Sequence, residues 1–148
     1  MITGNGGKIL IKMSEGVRLT AYKCPAGIPT IGYGHTGTVN GKPIIANVTK
    51  ITQKQADLLL TNDLKRFENA VNKNVKVKLT QNQFDALISF TYNLGEGGLQ
   101  QLIKCSGLNR GKYQDVPAHM IQYCKANGKE LQGLKNRRMR EIVLWNKK

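Results

Sequence analysis

Residues 15–37 read EGVRLTAYKCPAGIPTIGYGHTG. Gly16, Gly27, Gly32, Gly34 and Gly37, with Pro25 and Pro29, punctuate runs of Val, Ile, Thr and Tyr. That alternation predicts short strands and tight turns. The pattern runs on to about residue 47 through Gly41 and Pro43, and Asn40-Gly41 is a strong hairpin-turn pair. Residues 17–47 therefore read as a small antiparallel sheet, too small to stand alone.

Upstream, Ile9, Leu10 and Met13 fall at i, i+1 and i+4, which predicts a short amphipathic helix over Lys8–Met13 that Gly16 can end. Downstream, the pattern is helical from residue 52 to the end. Thr52 and Gln55 match a capping box, and Ala56, Leu59, Leu60, Leu64, Phe67 and Val71 then form one stripe. A helix over about 52–72 would be about 30 Å long, enough to join two lobes. Thr80 and Gln83 repeat the capping signal ahead of Phe84, Leu87, Ile88 and Leu94, with a stop at Asn93 and Gly95. Another helix is expected around 112–126, with Pro117 tolerated only in its first turn. A last basic helix covers about 134–145. Strands followed by a run of helices give an α+β class: a β-containing lobe over 1–51, a connecting helix, and a helical lobe over 73–148.

The chain has 148 residues, 40% hydrophobic and 22% charged, an ordinary globular balance. No apolar run approaches the ~18 residues of a membrane span. Ile9-Leu10-Ile11 is too short for a signal-peptide core, so neither an anchor nor a secretion address is expected. Twenty-three Lys and Arg oppose nine Asp and Glu, a formal +14. Such a charge predicts attraction to a polyanion: nucleic acid, a membrane surface or anionic wall polymer. The densest cluster is Lys135, Arg137, Arg138 and Arg140, for which a solvated cationic surface is an equal reading. Cys24, Cys105 and Cys124 are odd in number and form no CxxC, which excludes a zinc knuckle or a thioredoxin-type motif. They fit mostly buried, inert thiols in a reducing compartment. A Cys105–Cys124 bridge stays open at this level.

Glu15 is the one acidic residue before Asp57. It stands where a short helix meets the Gly-rich hairpin, a place where a carboxylate can face a cleft and serve as general acid. On position alone a helix-terminal surface carboxylate is the stronger reading, although the dipole disfavours negative charge there. His35 in a hairpin is more often structural than catalytic, and no neighbouring acid completes a triad with it. The Gly32, Gly34 and Gly37 spacing copies a phosphate loop but opens no helix, which excludes a dinucleotide site. His119 lacks a second metal ligand at useful spacing.

Residues 15–37 resemble the phage-type lysozymes, glycoside hydrolase family 24. The family pattern of a Glu, eight residues, an Asp or Cys, five residues and a Thr falls on Glu15, Cys24 and Thr30 without a gap. The stretches TQNQFDAL at 80–87, YNLG at 92–95 and GKELQGL at 128–134, with Arg137-Arg138, also resemble it, in the family's order. The resemblance runs from about Lys8 to Trp145. It implies a mostly helical, lysozyme-like α+β domain over 1–148 with the site in a cleft between two lobes.

The implied activity is that of an endolysin: hydrolysis of the β-1,4 bond between N-acetylmuramic acid and N-acetylglucosamine in bacterial peptidoglycan, for host lysis at phage release. The resemblance implies that Glu15 protonates the leaving oxygen and that Cys24, in place of the commoner Asp, helps a water attack. Thr30 would orient that water. In an inverting enzyme the two groups stand about 6.5–9.5 Å apart. A thiol is mostly neutral at pH 7, and the protein's positive field, with Lys23 adjacent in sequence, is expected to lower its pKa; the thiolate would then stabilise transition-state charge, polarise the water or attack carbon directly. His35 matches a structural family histidine, with Asp63 its expected ion-pair partner. Two departures are the absence of a Ser-Thr pair near Leu102-Ile103 and Tyr123 where relatives often carry Trp.

The resemblance implies no cofactor, no metal, no specific nucleic acid and a monomer. It also implies storage in the host cytoplasm until a holin-like membrane protein gives access to the wall. Two other readings stay open: a lytic transglycosylase on the same polymer, and a non-catalytic basic module for cell wall or nucleic acid. Against the last stands the lack of an RNA-recognition or zinc-finger motif.

Overall fold

A computed structural model describes all 148 residues. Its elements follow in the order α1 (Asn5–Glu15), β1 (Arg18–Lys23), β2 (Pro29–Gly32), β3 (His35–Thr36), β4 (Thr38–Val39), β5 (Lys42–Pro43), α2 (Gln53–Asn74) and α3 (Gln81–Ser106). Then come α4 (Val116–Met120), β6 (Lys125–Ala126), β7 (Lys129–Glu130) and α5 (Gln132–Asn146). Helices with small antiparallel strands give the expected α+β class. Two units share the chain: Lys12–Lys65, and Met1–Ile11 with Arg66–Lys148.

In the Lys12–Lys65 unit, β1, β2 and β3 form one antiparallel sheet, with Tyr22 opposite Thr30 and Ile31 opposite His35. The chain returns alongside β1, where Ala21 N–H donates to Thr49 O at 2.8 Å and Ile51 N–H to Leu19 O at 2.9 Å. Asn40 and Gly41 both adopt positive φ, 52° and 78°, and close the β4–β5 hairpin as their pairing predicts. So small a sheet needs a partner. Ile31, Ile44 and Ile51 are buried, as are Ala56, Leu60 and Leu64 on α2. The α2 N-terminus carries the predicted capping box: Gln55 N–H donates to Thr52 Oγ1 at 3.1 Å, and Thr52 N–H to Gln55 Oε1 at 2.8 Å.

In the other unit, α3 is the central element, buried continuously from Phe84 to Thr91 and packed against α4 and α5. Its capping box is Thr80 with Gln83, as predicted. The first eleven residues belong here rather than with the sheet that follows them. Asp85 holds them: its carboxylate accepts from Gly4 N–H at 2.9 Å and Gly7 N–H at 3.1 Å, satisfying donors at the start of α1. Thr3 donates from both N–H and Oγ1 to Glu68 Oε2, at 2.8 and 2.6 Å.

Two expectations about this unit change. The predicted stop at Gly95 is a break, with φ 79° and ψ 173°, after which α3 resumes to Ser106. Glycine adopts that backbone without the penalty a Cβ would bring. The helix expected over 112–126 shrinks to a 3₁₀ turn, Tyr113–Asp115, and the five residues of α4, with Pro117 in its first turn. The chain then makes a second hairpin, β6–β7, around Asn127 and Gly128 at φ 52° and 76°. Asn-Gly favours that turn over a continuing helix.

Arg137 and Arg138 also depart from the solvated-surface reading. They are 4% and 0% exposed and converge on Glu141, itself 0% exposed. Arg138 Nε stands 2.7 Å from Glu141 Oε1, and its Nη2 donates to Asn93 Oδ1 at 2.9 Å and Glu141 Oε2 at 3.0 Å. Ser89 Oγ donates to Glu141 Oε2 at 2.6 Å. Burial pushes the Glu141 carboxyl up, against the pull of the arginines and Ser89.

Candidate active site

Glu15 is the last residue of α1 and is exposed. Gly16 ends the helix in the left-handed region, φ 69°, with its N–H donating to Lys12 O at 2.9 Å. The chain enters β1 two residues later and delivers Cys24 just past the strand's end.

The turn between β1 and β2 is built around Cys24. Its N–H donates to Ile28 O at 3.0 Å, and Gly27 N–H returns to Cys24 O at 2.8 Å. This closed reversal aims main-chain amides at the thiol. The Ile28 amide is the largest influence on Cys24, and with the Ala26 amide it holds the thiol below its ordinary pKa against partial desolvation. Lys23, invoked from sequence, is not the main cause; the loop's own backbone is.

Thr30 enters the same turn from β2. It is 3% exposed, and its hydroxyl donates to Ile28 O at 2.8 Å. It also helps lower the Cys24 pKa. A hydroxyl has one proton and two lone pairs, so it can turn its proton from the carbonyl toward sulfur or accept from a third group. The structure thus brings Cys24 and Thr30 together across one turn and sets Glu15 at the helix end that feeds β1.

His35 pairs with Asp63, as expected: Nδ1 is 2.7 Å from Asp63 Oδ2, and Nε2 is 2.8 Å from Thr38 O. Both ring nitrogens are engaged, which pins β3 to α2 and leaves the imidazole no open atom for chemistry.

Sequence reasoning missed a second set of contacts. Lys12, three residues before Glu15, sets its Nζ 3.0 Å from Asp57 Oδ1 and over the Tyr33 ring, 5.6 Å from the centroid. Gln53 Nε2 donates to Asp57 Oδ1 at 3.0 Å and to Tyr33 Oη at 2.9 Å. Lys12 is the main cause of an Asp57 carboxyl held below the usual range. No local pattern signals a contact that links residues so far apart in sequence.

The three cysteines are free thiols, so the Cys105–Cys124 bridge is not formed; Cys105 is exposed and Cys124 buried. No three His, Cys, Asp or Glu side chains gather where they could hold a metal ion. Both departures from the family pattern are apolar repacking. Leu102 and Ile103 are buried in α3, and Tyr123 packs edge-on against Phe90 at 5.1 Å.

Residues 12–141 match the phage lysozyme family model. The chain is 41% identical to the endolysin of Bacillus phage PZA over 99% of its own length, and spans 55% of that protein. Its fold superposes on a P22 lysozyme variant with TM-score 0.90 at 35% identity, covering 99% of both chains. The muramidase domain of SpmX from Asticaccaulis excentricus gives TM-score 0.84 at 34% identity, over 98% and 97% of the two chains. The family match and the fold shared with lysozymes indicate a glycoside hydrolase of lysozyme type. The chain belongs to the phage lysozyme family.

Proposed function

We propose that this chain hydrolyses bacterial peptidoglycan at the β-1,4 bond between N-acetylmuramic acid and N-acetylglucosamine and serves host lysis at phage release. Similarity to endolysins and to a muramidase domain supports the substrate class. The observation that carries the chemistry is the Cys24 turn, closed by Cys24 N–H to Ile28 O at 3.0 Å and Gly27 N–H to Cys24 O at 2.8 Å with buried Thr30 beside it; its amides and the Thr30 hydroxyl favour the thiolate.

Glu15 donates its proton to the glycosidic oxygen as the bond to the anomeric carbon breaks. Water attacks that carbon, held by Thr30 and polarised by the Cys24 thiolate, which takes up a water proton. The thiol then returns its proton to solvent and Glu15 is reprotonated. A thiolate base needs the amide cradle because an unaided thiol is mostly protonated at neutral pH. The same negative charge favours the positive character that develops on the sugar ring.

The +14 charge supports retention on anionic wall polymer. No helix of this structure is long and apolar enough to cross a membrane. In this reading the chain waits in the host cytoplasm, reaches the wall with the help of a holin-like protein, and acts as a monomer. Mass analysis of fragments released from purified sacculi tests the reaction. Hydrolysis predicts reducing muramic ends; anhydromuramic ends would assign the chain to transglycosylation instead.

A further inference from the structure

An open hollow of about 540 Å³ lies on the unit that contains α3 and α5, among the start of α3, the 3₁₀ turn before α4 and the end of α5. Its volume falls in the ordinary range of ligand pockets. Its wall differs in kind from three other grooves, which are each lined by aliphatic side chains such as Val39, Leu58, Ile45 or Val75. This one has no aliphatic residue and no carboxylate side chain. It offers the amides of Gln83, Gln114 and Asn146, the rings of Tyr113 and Trp145, and the ammonium of Lys147.

Several of these groups are held in place. Tyr113 Oη donates to Lys78 O at 2.7 Å, which fixes the ring. Gln83 Oε1 is engaged by Thr80 N–H at 2.9 Å, which orients its amide. Asn82 Nδ2 donates to Lys147 O at 3.2 Å and ties down the end of α5. Fixing the wall in advance lowers the ordering cost of binding.

We propose that this hollow is a second, non-catalytic binding site for amino-sugar glycan, the strand whose cleavage is proposed above and on which this inference rests. Planar amides pair with hydroxyl and N-acetyl groups. The Tyr113 ring offers a face for the C–H side of a pyranose, and Lys147 complements a carboxylate of the stem peptide that a muramic residue carries. With the ammoniums of Lys147 and Lys148 and no Asp or Glu side chain, the wall fits an anionic sugar better than a cation.

Trp145 is the sole tryptophan of the chain and lines the hollow, so its emission reports on this place. Full-length Glu15→Gln protein is titrated with uncrosslinked strands of alternating N-acetylglucosamine and N-acetylmuramic acid, with co-sedimentation on sacculi run in parallel. The expected result is a saturable change in Trp145 emission. Gln114→Ala, an exposed residue without a structural hydrogen bond, and Tyr113→Ala are each expected to weaken it about tenfold, a loss worth one aromatic or buried polar contact. Tyr113→Phe should keep most of it. An unchanged emission while sedimentation shows bound protein would overturn the proposal, as would wild-type affinity in both alanine variants or no binding at all. Absence of hydrolysis by wild type would instead strike at the proposed reaction and leave the titration standing.

Discussion

Lys12 Nζ stands 3.0 Å from Asp57 Oδ1 and fastens the last turn of α1 to α2, one turn before Glu15. The general acid of the proposed reaction therefore hangs from a helix end that an ion pair holds, and that relationship carries the first prediction.

Lys12→Met and Asp57→Asn should lower turnover more than they raise KM, because they loosen the bearing of Glu15 without touching substrate. Their thermal stability should change little, since both groups are partly solvated. The pH sign follows from a carboxyl lowered in the fold. The stabilisation is complete above the ordinary Asp value of about 3.9 and is lost as pH falls through the lowered native value. Melting curves of wild type and Asp57→Asn should thus differ by a constant amount at pH 5–8 and converge in stronger acid. A gap that instead changes between pH 5 and 8 would contradict this assignment.

Cys24 should alkylate as a thiolate. In a Cys105→Ser background, which removes the exposed competitor, the rate with iodoacetamide should reach its midpoint below the ordinary thiol value of about 8.5. Thr30→Val should move that midpoint upward by removing one of the lowering hydrogen bonds. A midpoint at or above the ordinary value would remove the physical basis for a thiolate base.

Asp63→Asn should cost about 2 kcal/mol, the scale of a charge-assisted hydrogen bond lost from a mostly buried pair. Chemical denaturation at neutral pH measures it. A cost within error of zero would mean that β3 is held by its other contacts.

Arg138→Met alone should destabilise by about 3–5 kcal/mol, because it leaves the buried Glu141 carboxylate with only the longer 3.5 Å pairing to Arg137. Adding Glu141→Leu should recover part of that loss by removing the underpaired carboxylate, while Arg137 keeps its hydrogen bond to Ser89 O. If the double variant is no better than the single one, Arg138 matters for its packing over Phe90, 5.0 Å from the ring centroid, rather than for its charge.

The sequence made local structure legible wherever a short-range rule set it. Thr52 with Gln55, Thr80 with Gln83, Gly16 and Asn40-Gly41 all mark their boundaries through contacts within four residues. Asn127-Gly128 carried the same signal as Asn40-Gly41 and went unread, because the apolar residues around it fit a helix period. The burial of Arg137 and Arg138 was not legible. A run of arginines looks alike in solvent and in a core, and only the approach of Ser89, some fifty positions away, separates the two.

The candidate site divides in the same way. Glu15, Cys24 and Thr30 stood out by family spacing, and nothing in composition would have raised them above ordinary surface and hairpin residues. The source of the thiol's acidity lies in amides of Ala26 and Ile28, which have no side-chain signature at all.

Clearing of permeabilised bacterial walls by wild type, Glu15→Gln, Cys24→Ser and Cys24→Asp across pH 5–9 tests the proposal that Glu15 supplies the proton and the Cys24 thiolate polarises the water. Glu15→Gln and Cys24→Ser should both be inactive. Cys24→Asp should stay active, with the rising limb of its profile displaced toward acid because a carboxylate ionises several pH units below a thiol. Undiminished clearing by Cys24→Ser, or equal clearing by all four proteins, would contradict it.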